Sequence, residues 1–228
     1  MFAVLFEVAP HADQWDSYLG YARMLRPELE QIDGFVTNIR YRSLTREGWL
    51  LSLSDWRDEK ALIRWRTHAQ HHEIQEKGRF EVFQDYHLRV GQVTQDTRVP
   101  SGFVLHEQRL DETEVGEGSA VTLIDAQWSP DRVTSSSPEE VASWLGLRPD
   151  AEGLLSWDVF DAVLTPGDVI VLLSWRDDAA ADAFEGASVV PDGARVRRVR
   201  VIRDYSMFDR REAPQYYPEV NRQVTDAL

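Results

Sequence analysis

Apolar and polar positions along this chain set out one order of elements and then set it out again. The opening run Phe2-Ala3-Val4-Leu5-Phe6-Glu7-Val8 is rich in residues of high strand propensity and predicts a first strand. Trp15, Tyr18, Ala22, Leu25 and Leu29 then recur at steps of three and four, the spacing of one buried helix face. Pro27 falls inside that run and predicts a bend or restart, because proline lacks the amide donor a helix interior uses. Gly34 stops the helix and turns the chain. Segments 36–44 and 49–56 read as a hairpin around Arg46-Glu47-Gly48. Asp58 reads as the cap of a second helix carrying Ala61, Leu62 and Trp65, and 80–93 as a long last strand.

The landmarks return further along. Ser54-Asp55-Trp56-Arg57-Asp58-Glu59 comes back as Leu173-Ser174-Trp175-Arg176-Asp177-Asp178, a shift of 175 − 56 = 119. Gly34 falls on Gly153, Phe35 on Leu154, and Asp85-Tyr86 on Asp204-Tyr205 by the same shift. Internal similarity at a fixed offset predicts two homologous units, 1–97 and 120–210, with an acidic linker at 98–119 and a tail at 211–228. The second unit places its elements at 121–127, 138–147, 154–164, 168–175, 178–184 and 196–207. Strand-helix-strand-strand-helix-strand is the ferredoxin-like pattern, an antiparallel sheet with both helices on one face. The open face needs cover. The expected fold is therefore α+β, with two tandem ferredoxin-like units packed sheet to sheet as an intrachain α+β barrel. The linker reads as solvated, with Phe103-Val104-Leu105 available to anchor on a sheet or pair with its edge. Pro214, Tyr216, Tyr217 and Pro218 make the tail an extended arm that packs on the body or on a second copy, so a homodimer is admitted.

Composition changes the picture mainly by exclusion. With 43% hydrophobic and 28% charged residues in 228, the chain is an ordinary globular one. No apolar stretch reaches the length of a bilayer span, and no basic leader precedes the first strand, so a cytoplasmic protein is expected. The absence of cysteine removes disulfides, thiolate nucleophiles, Fe–S clusters and Cys-type zinc sites. A net charge of −14 argues against nucleic acid as a partner, since phosphates need a basic face.

Candidate chemistry gathers at the end of the second helix of unit one, in Trp65-Arg66-Thr67-His68-Ala69-Gln70-His71-His72-Glu73-Ile74-Gln75-Glu76-Lys77-Gly78-Arg79, where three of six histidines fall within five positions. On a continuous helix Ala61, Trp65, His68 and His72 share a face; if Thr67 caps a new turn, His71 and Gln75 become the i,i+4 pair. At the 119 shift Trp65 becomes Phe184, His71 Val190, His72 Pro191 and Gln75 Ala194, while Arg79 meets Arg198. The polar cluster is missing from unit two, so the site is expected in unit one.

The run Trp65…His71…Gln75…Gly78-Arg79, followed by Val82-Phe83 and Asp85-Tyr86, resembles the antibiotic biosynthesis monooxygenase superfamily, as do the Gly34-Phe35 turn and the strand Leu51-Ser52-Leu53-Ser54…Trp56. The resemblance implies ferredoxin-like α+β barrels, usually dimers, some of which oxidise aromatic polyketides with O2 and neither metal nor flavin. It implies a cofactor-independent monooxygenase for a small electron-rich aromatic or polyketide-like substrate. In that chemistry an electron-rich phenolate or enolate passes one electron to triplet O2, and the protein supplies a base, an apolar pocket and a partner for the developing anion. His71 or His72 would be the base, Trp65 a wall of the pocket, and Arg79, Arg40 or Arg42 the anion partner. A histidine suits the first role because its ordinary pKa lies near neutrality. Asn38, His68, Gln75 and Glu7 are the further candidate substrate contacts. No resident metal is expected. The alternatives are a heme-binding or heme-degrading enzyme, with His71 or His72 on the iron, and a non-catalytic small-ligand-binding protein.

Overall fold

The structure is a computed structural model, and it describes residues 1–220; positions 221–228, the end of the predicted arm, lie outside the described residues. Unit one runs β1 (Phe2–Pro10), α1 (Trp15–Glu30), β2 (Phe35–Ser43), β3 (Leu50–Trp56), α2 (Glu59–Arg66), α3 (Ala69–Lys77) and β4 (Phe83–Asp96). Unit two runs β5 (Ala120–Gln127), α4 (Pro130–Ser135), α5 (Pro138–Trp144), β6 (Leu154–Ala162), β7 (Asp168–Trp175), α6 (Asp178–Glu185) and β8 (Arg195–Ser206). The strands close into one antiparallel barrel in the order β1-β3-β2-β6-β7-β5-β8-β4. Two seams join the units: β2 with β6, where Arg42 pairs Asp161, and β4 with β8, where Gln92 pairs Arg200.

Alternation along each strand divides the core in two. Ala3, Leu5, Leu51, Leu53, Leu123, Phe160, Ile170, Leu172, Val199 and Val201 fill the barrel lumen. The opposite faces carry the helices: Phe2, Trp56, Leu62 and Trp65 in unit one, and Val141, Leu145, Trp175 and Phe184 in unit two. Asp58 and Asp177 each cap a helix, their carboxylates accepting from the amides of Ala61 and Ala180 at 2.8 Å. Gly34 and Gly153 have φ of +92° and +81°, and a Cβ on either would stand 2.6 or 2.5 Å from the Cβ of Ala61 or Ala180. The turn conformation and the close helix approach both demand glycine there.

Several expectations are corrected. Pro27 does not interrupt α1, which runs unbroken through it; the proline sits on the solvent face of the last turn. The last strand begins at Phe83, not at 80, because Gly78–Val82 forms a π-helical turn first. The second helix is not continuous: Thr67 ends α2 and His68 takes an extended conformation (ψ 130°). The face of Ala61, Trp65, His68 and His72 therefore does not form, and His71 and Gln75 become neighbours.

The 119 shift also fails beyond α2. Phe2 and Ala120 pair the matching Trp56 and Trp175 and so already stand 120 − 2 = 118 apart; on their other side they pair Gln92 and Arg200, so the last strands correspond at 200 − 92 = 108. Unit two has no helix matching α3, and its chain returns to the sheet sooner. The matches of Asp85-Tyr86 with Asp204-Tyr205 and of Arg79 with Arg198 are thus coincidences of sequence. Nor is the linker merely solvated: Phe103 and Leu105 pack on the lumen cluster, and the buried Gln92 amide oxygen accepts from the backbone of Gln108 and Arg109 at 2.8 and 3.0 Å. Among the described residues no helix is long and apolar enough to cross a membrane.

Candidate functional site

A cavity of about 220 Å³ lies in unit one between the outer face of the sheet and helices α1 to α3. Val4, Phe6 and Leu88 form its floor, and Tyr18, Leu25 and Leu62 part of its roof. In unit two the corresponding layer is filled by the cluster around Trp175 and Phe184.

The break at His68 aims the following turn of chain at this cavity. The imidazole of His71 stacks on the indole of Trp65, with ring centroids 4.2 Å apart and planes 15° apart. Its Nδ1 lies 3.0 Å from the Trp65 carbonyl oxygen. A carbonyl only accepts, so Nδ1 carries the proton and Nε2 is left as an acceptor. Burial pulls the His71 pKa down to about 4, well below the near-neutral value expected of it. The ring is therefore neutral at physiological pH and a weaker base than an exposed histidine. Gln75, one turn on, approaches at 3.4 Å. The Asn38 amide nitrogen donates to Ser52 Oγ at 3.0 Å and to the Leu53 carbonyl at 3.3 Å, so its oxygen remains an acceptor.

Trp65, His71, Gln75, Arg79, Asn38 and Arg40 thus share the cavity wall. The other candidates do not. His72 is exposed and stacks on Tyr217 of the arm, and His68 lies 3.8 Å from Glu28 outside the cavity. Arg42 faces the seam, 3.7 Å from Asp161. Glu7 points the other way, into a polar cavity of about 530 Å³ at one mouth of the barrel. There its carboxylate meets Arg89 at 2.6 Å and Arg46 at 2.5 Å. Burial alone would raise the Glu7 carboxyl, but Arg89 and Arg46 outweigh it and hold it below the ordinary range. Strand alternation explains the miss, since Phe6 and Val8 take the helix side and leave Glu7 to the lumen.

Sequence reasoning overlooked most of the cavity's charge. Arg66, Arg203 and Arg210 join Arg40 and Arg79 on its wall. Among the described residues none of these five arginines pairs with a carboxylate, and the Nε atoms of Arg40, Arg66 and Arg79 are buried without a partner. Glu59, the one carboxylate on the wall among the described residues, is bound to Arg109 of the linker at 2.6 Å. Unit two and the arm also supply Tyr205, Pro214, Gln215 and Tyr217. Burial, with Tyr86 beside it, pushes the Tyr205 phenol up to about 12. No local pattern in the sequence marks these distant contributions.

Fold and cavity together define a class, an α+β barrel protein with a helix-covered pocket in one of two repeated units. The model of the antibiotic biosynthesis monooxygenase family matches residues 1–77. A protein of Pyricularia oryzae (strain 70-15) named jasmonate monooxygenase ABM is 50% identical over 223 residues, 96% of this chain and 99% of its own. Among solved structures, a Lactobacillus acidophilus NCFM protein assigned as a monooxygenase matches at 8% identity and a TM-score of 0.40, over 89% of this chain and 94% of that one. An anthrone oxidase-like protein matches at 13% identity and a TM-score of 0.34, over 94% and 96%. The chain belongs to the antibiotic biosynthesis monooxygenase family.

Proposed function

We propose that this chain is an O2-using monooxygenase whose substrate is a small, largely apolar molecule carrying one carboxylate. Jasmonate, the compound in the name of the Pyricularia oryzae relative, is the first candidate. The observation that carries this proposal is the set of five cavity arginines that pair with no carboxylate among the described residues. In a chain with 39 acidic residues against 25 basic ones, cations left uncompensated in one place await an anion from outside. Arg79 is only 3% exposed, and a buried guanidinium without a counter-ion is costly.

The cavity, about 220 Å³, has a wall that is mostly apolar and aromatic and suits such a ligand. Nε2 of His71 also has the free lone pair an iron would use, so heme is the alternative ligand, and independence of a bound cofactor is part of the proposal. His71 accepts the substrate proton at Nε2, Trp65 holds the imidazole flat, and the arginines stabilise negative charge as it develops. A base this weak requires a proton that is already acidic, such as that of an enol, a phenol or a carbon beside a ketone.

Putting one oxygen atom into a C–H bond and releasing the other as water takes two electrons besides those of that bond. The test is therefore oxygen uptake and product mass with jasmonate, run with and without a reduced nicotinamide. With the reduced nicotinamide a product heavier by one oxygen is expected; without it, one heavier by one oxygen less two hydrogens, the substrate CH2 supplying all four electrons and becoming a carbonyl. Neither product under either condition sinks the jasmonate assignment. The aromatic wall of Tyr18, Tyr21, Trp65 and Phe83 favours an electron-rich aromatic as the second substrate class, and the same assay with phenols and quinols tests it. Saturable binding with no oxygen consumed by any of these compounds would leave a non-catalytic ligand-binding protein.

A further inference from the structure

Tyr86 is 7% exposed and lines the cavity wall from β4. Two guanidinium groups reach its hydroxyl oxygen: Nη1 of Arg79 at 3.1 Å, and Nη1 of Arg210. A guanidinium only donates, so both contacts use the phenol oxygen as an acceptor and occupy its lone pairs. What remains is the O–H, for which no acceptor stands among the described residues. A buried donor with no acceptor is costly to leave unmade.

The two cations are otherwise held by neutral groups. Arg79 donates to the carbonyls of Met207 at 2.8 Å and Pro218 at 3.2 Å, and its Nε is buried and unpartnered. Arg210 donates to the Gln215 carbonyl at 2.9 Å. Its own position is fixed by the arm that leaves β8, which returns over the cavity so that the Gln215 amide donates to Gln75 at 3.1 Å.

We propose that Tyr86, Arg79 and Arg210 form a cradle for the carboxylate of the ligand, one O–H donor flanked by two cations, with Tyr86 the residue that selects an anionic headgroup over a neutral one. This rests on the carboxylate-bearing substrate proposed above. Tyr86 supplies the single O–H, and the flanking guanidinium groups supply charge and fix the phenol's orientation. Charge-assisted donors of this kind are the strong ones, and they discriminate because a neutral headgroup leaves them unmet. Since Arg210 ends the second unit, where the chain leaves β8 for the arm, that unit takes part in choosing the ligand bound by the first.

The test uses octanoate and 1-octanol, probes alike in chain length and unlike in charge, titrated against the tryptophan fluorescence of the full chain. The wild type is expected to bind octanoate at least tenfold tighter than octanol. Tyr86→Phe should weaken octanoate about tenfold and leave octanol unchanged, the loss expected for one charge-assisted hydrogen bond. Arg210→Gln, a surface-side change that spares the barrel, should act in the same direction and flatten the salt dependence of octanoate binding. Equal affinity of the two probes for the wild type overturns the cradle, as does failure of octanoate to saturate it. A Tyr86→Phe loss shared equally by both probes also overturns it, because a merely structural role produces that result. If octanoate shows the Tyr86-dependent preference while jasmonate is not turned over, the cradle stands and the substrate assignment falls.

Discussion

The His71 imidazole lies parallel to the Trp65 indole at 4.2 Å and is tied to the carbonyl of the same residue at 3.0 Å. One residue thus sets both the plane of the histidine and its tautomer. It also contributes to the burial that keeps the ring neutral.

Removing that imidazole should stop chemistry while its exposed neighbour is dispensable. His71→Ala is expected to lower kcat/KM by a factor of about 10² or more, the scale of a lost general base, whereas His72→Ala stays within about threefold. The base works unprotonated, and its pKa is drawn down to about 4, so its limb in the pH profile falls as pH drops through that value. Steady-state kinetics from pH 4 to 8 checks this; a His71-dependent limb near 6.5 would contradict the buried, stacked geometry.

The same shift has a stability consequence. His71 titrates near 6.5 when unfolded and near 4 when folded, so in that window the unfolded chain binds more protons. The folded state loses stability as pH falls, by roughly 2 kcal/mol between pH 7 and pH 5 at ~1.4 kcal/mol per pKa unit. Urea unfolding of the wild type and His71→Gln at both pH values measures it. The expected outcome is a smaller drop in the variant, and equal drops would assign the acid sensitivity to other groups.

Gly34→Ala should cost about 1–3 kcal/mol, since it adds a Cβ to a residue at φ +92° and drives it against Ala61. Ala61→Gly in the same chain relieves the contact but not the backbone strain, so recovery should be partial. Gly153→Ala should cost a similar amount, and the two losses should add within about 0.5 kcal/mol because the sites lie in separate units. Thermal and urea denaturation of the single and double variants decide it.

Glu7→Gln separates the lumen from the ligand cavity. It leaves Arg89 and Arg46 short of their buried counter-charge, an expected loss of about 3–5 kcal/mol in unfolding free energy. Octanoate affinity in the folded variant should be unchanged, because Glu7 faces away from that cavity. A parallel loss of affinity would place Glu7 back in the ligand site.

Much of the scaffold was legible because it rests on local demands. A positive-φ turn that abuts a helix needs glycine, and a helix start needs a capping carboxylate; both recur 119 residues apart in Gly34 and Gly153, Asp58 and Asp177. Trp65, His71 and Gln75 were legible for a similar reason, being spaced along a single stretch of chain. The shift of the last strand was not. Asp85-Tyr86 and Asp204-Tyr205 match by letters alone, and only the strand pairing shows that the loss of α3 moves β8 by 108 rather than 119. The choice between a continuous and a broken helix also stayed open in the sequence, because the residues near Thr67 satisfy either periodicity.

By itself the sequence determined two ferredoxin-like units, their element order, and the half of the chain that carries the polar cluster, since hydrophobic period, caps and turns act between residues near each other along the chain. Tertiary structure alone decided where charge is left unmatched. Arg203, Arg210 and Tyr205 reach the unit-one cavity because closing the barrel lays β8 against β4 and turns the arm back across α3. Whether an arginine finds a carboxylate depends on separations of a few ångströms between segments more than a hundred residues apart, and Coulomb attraction and desolvation are set by that distance and burial rather than by position in the chain.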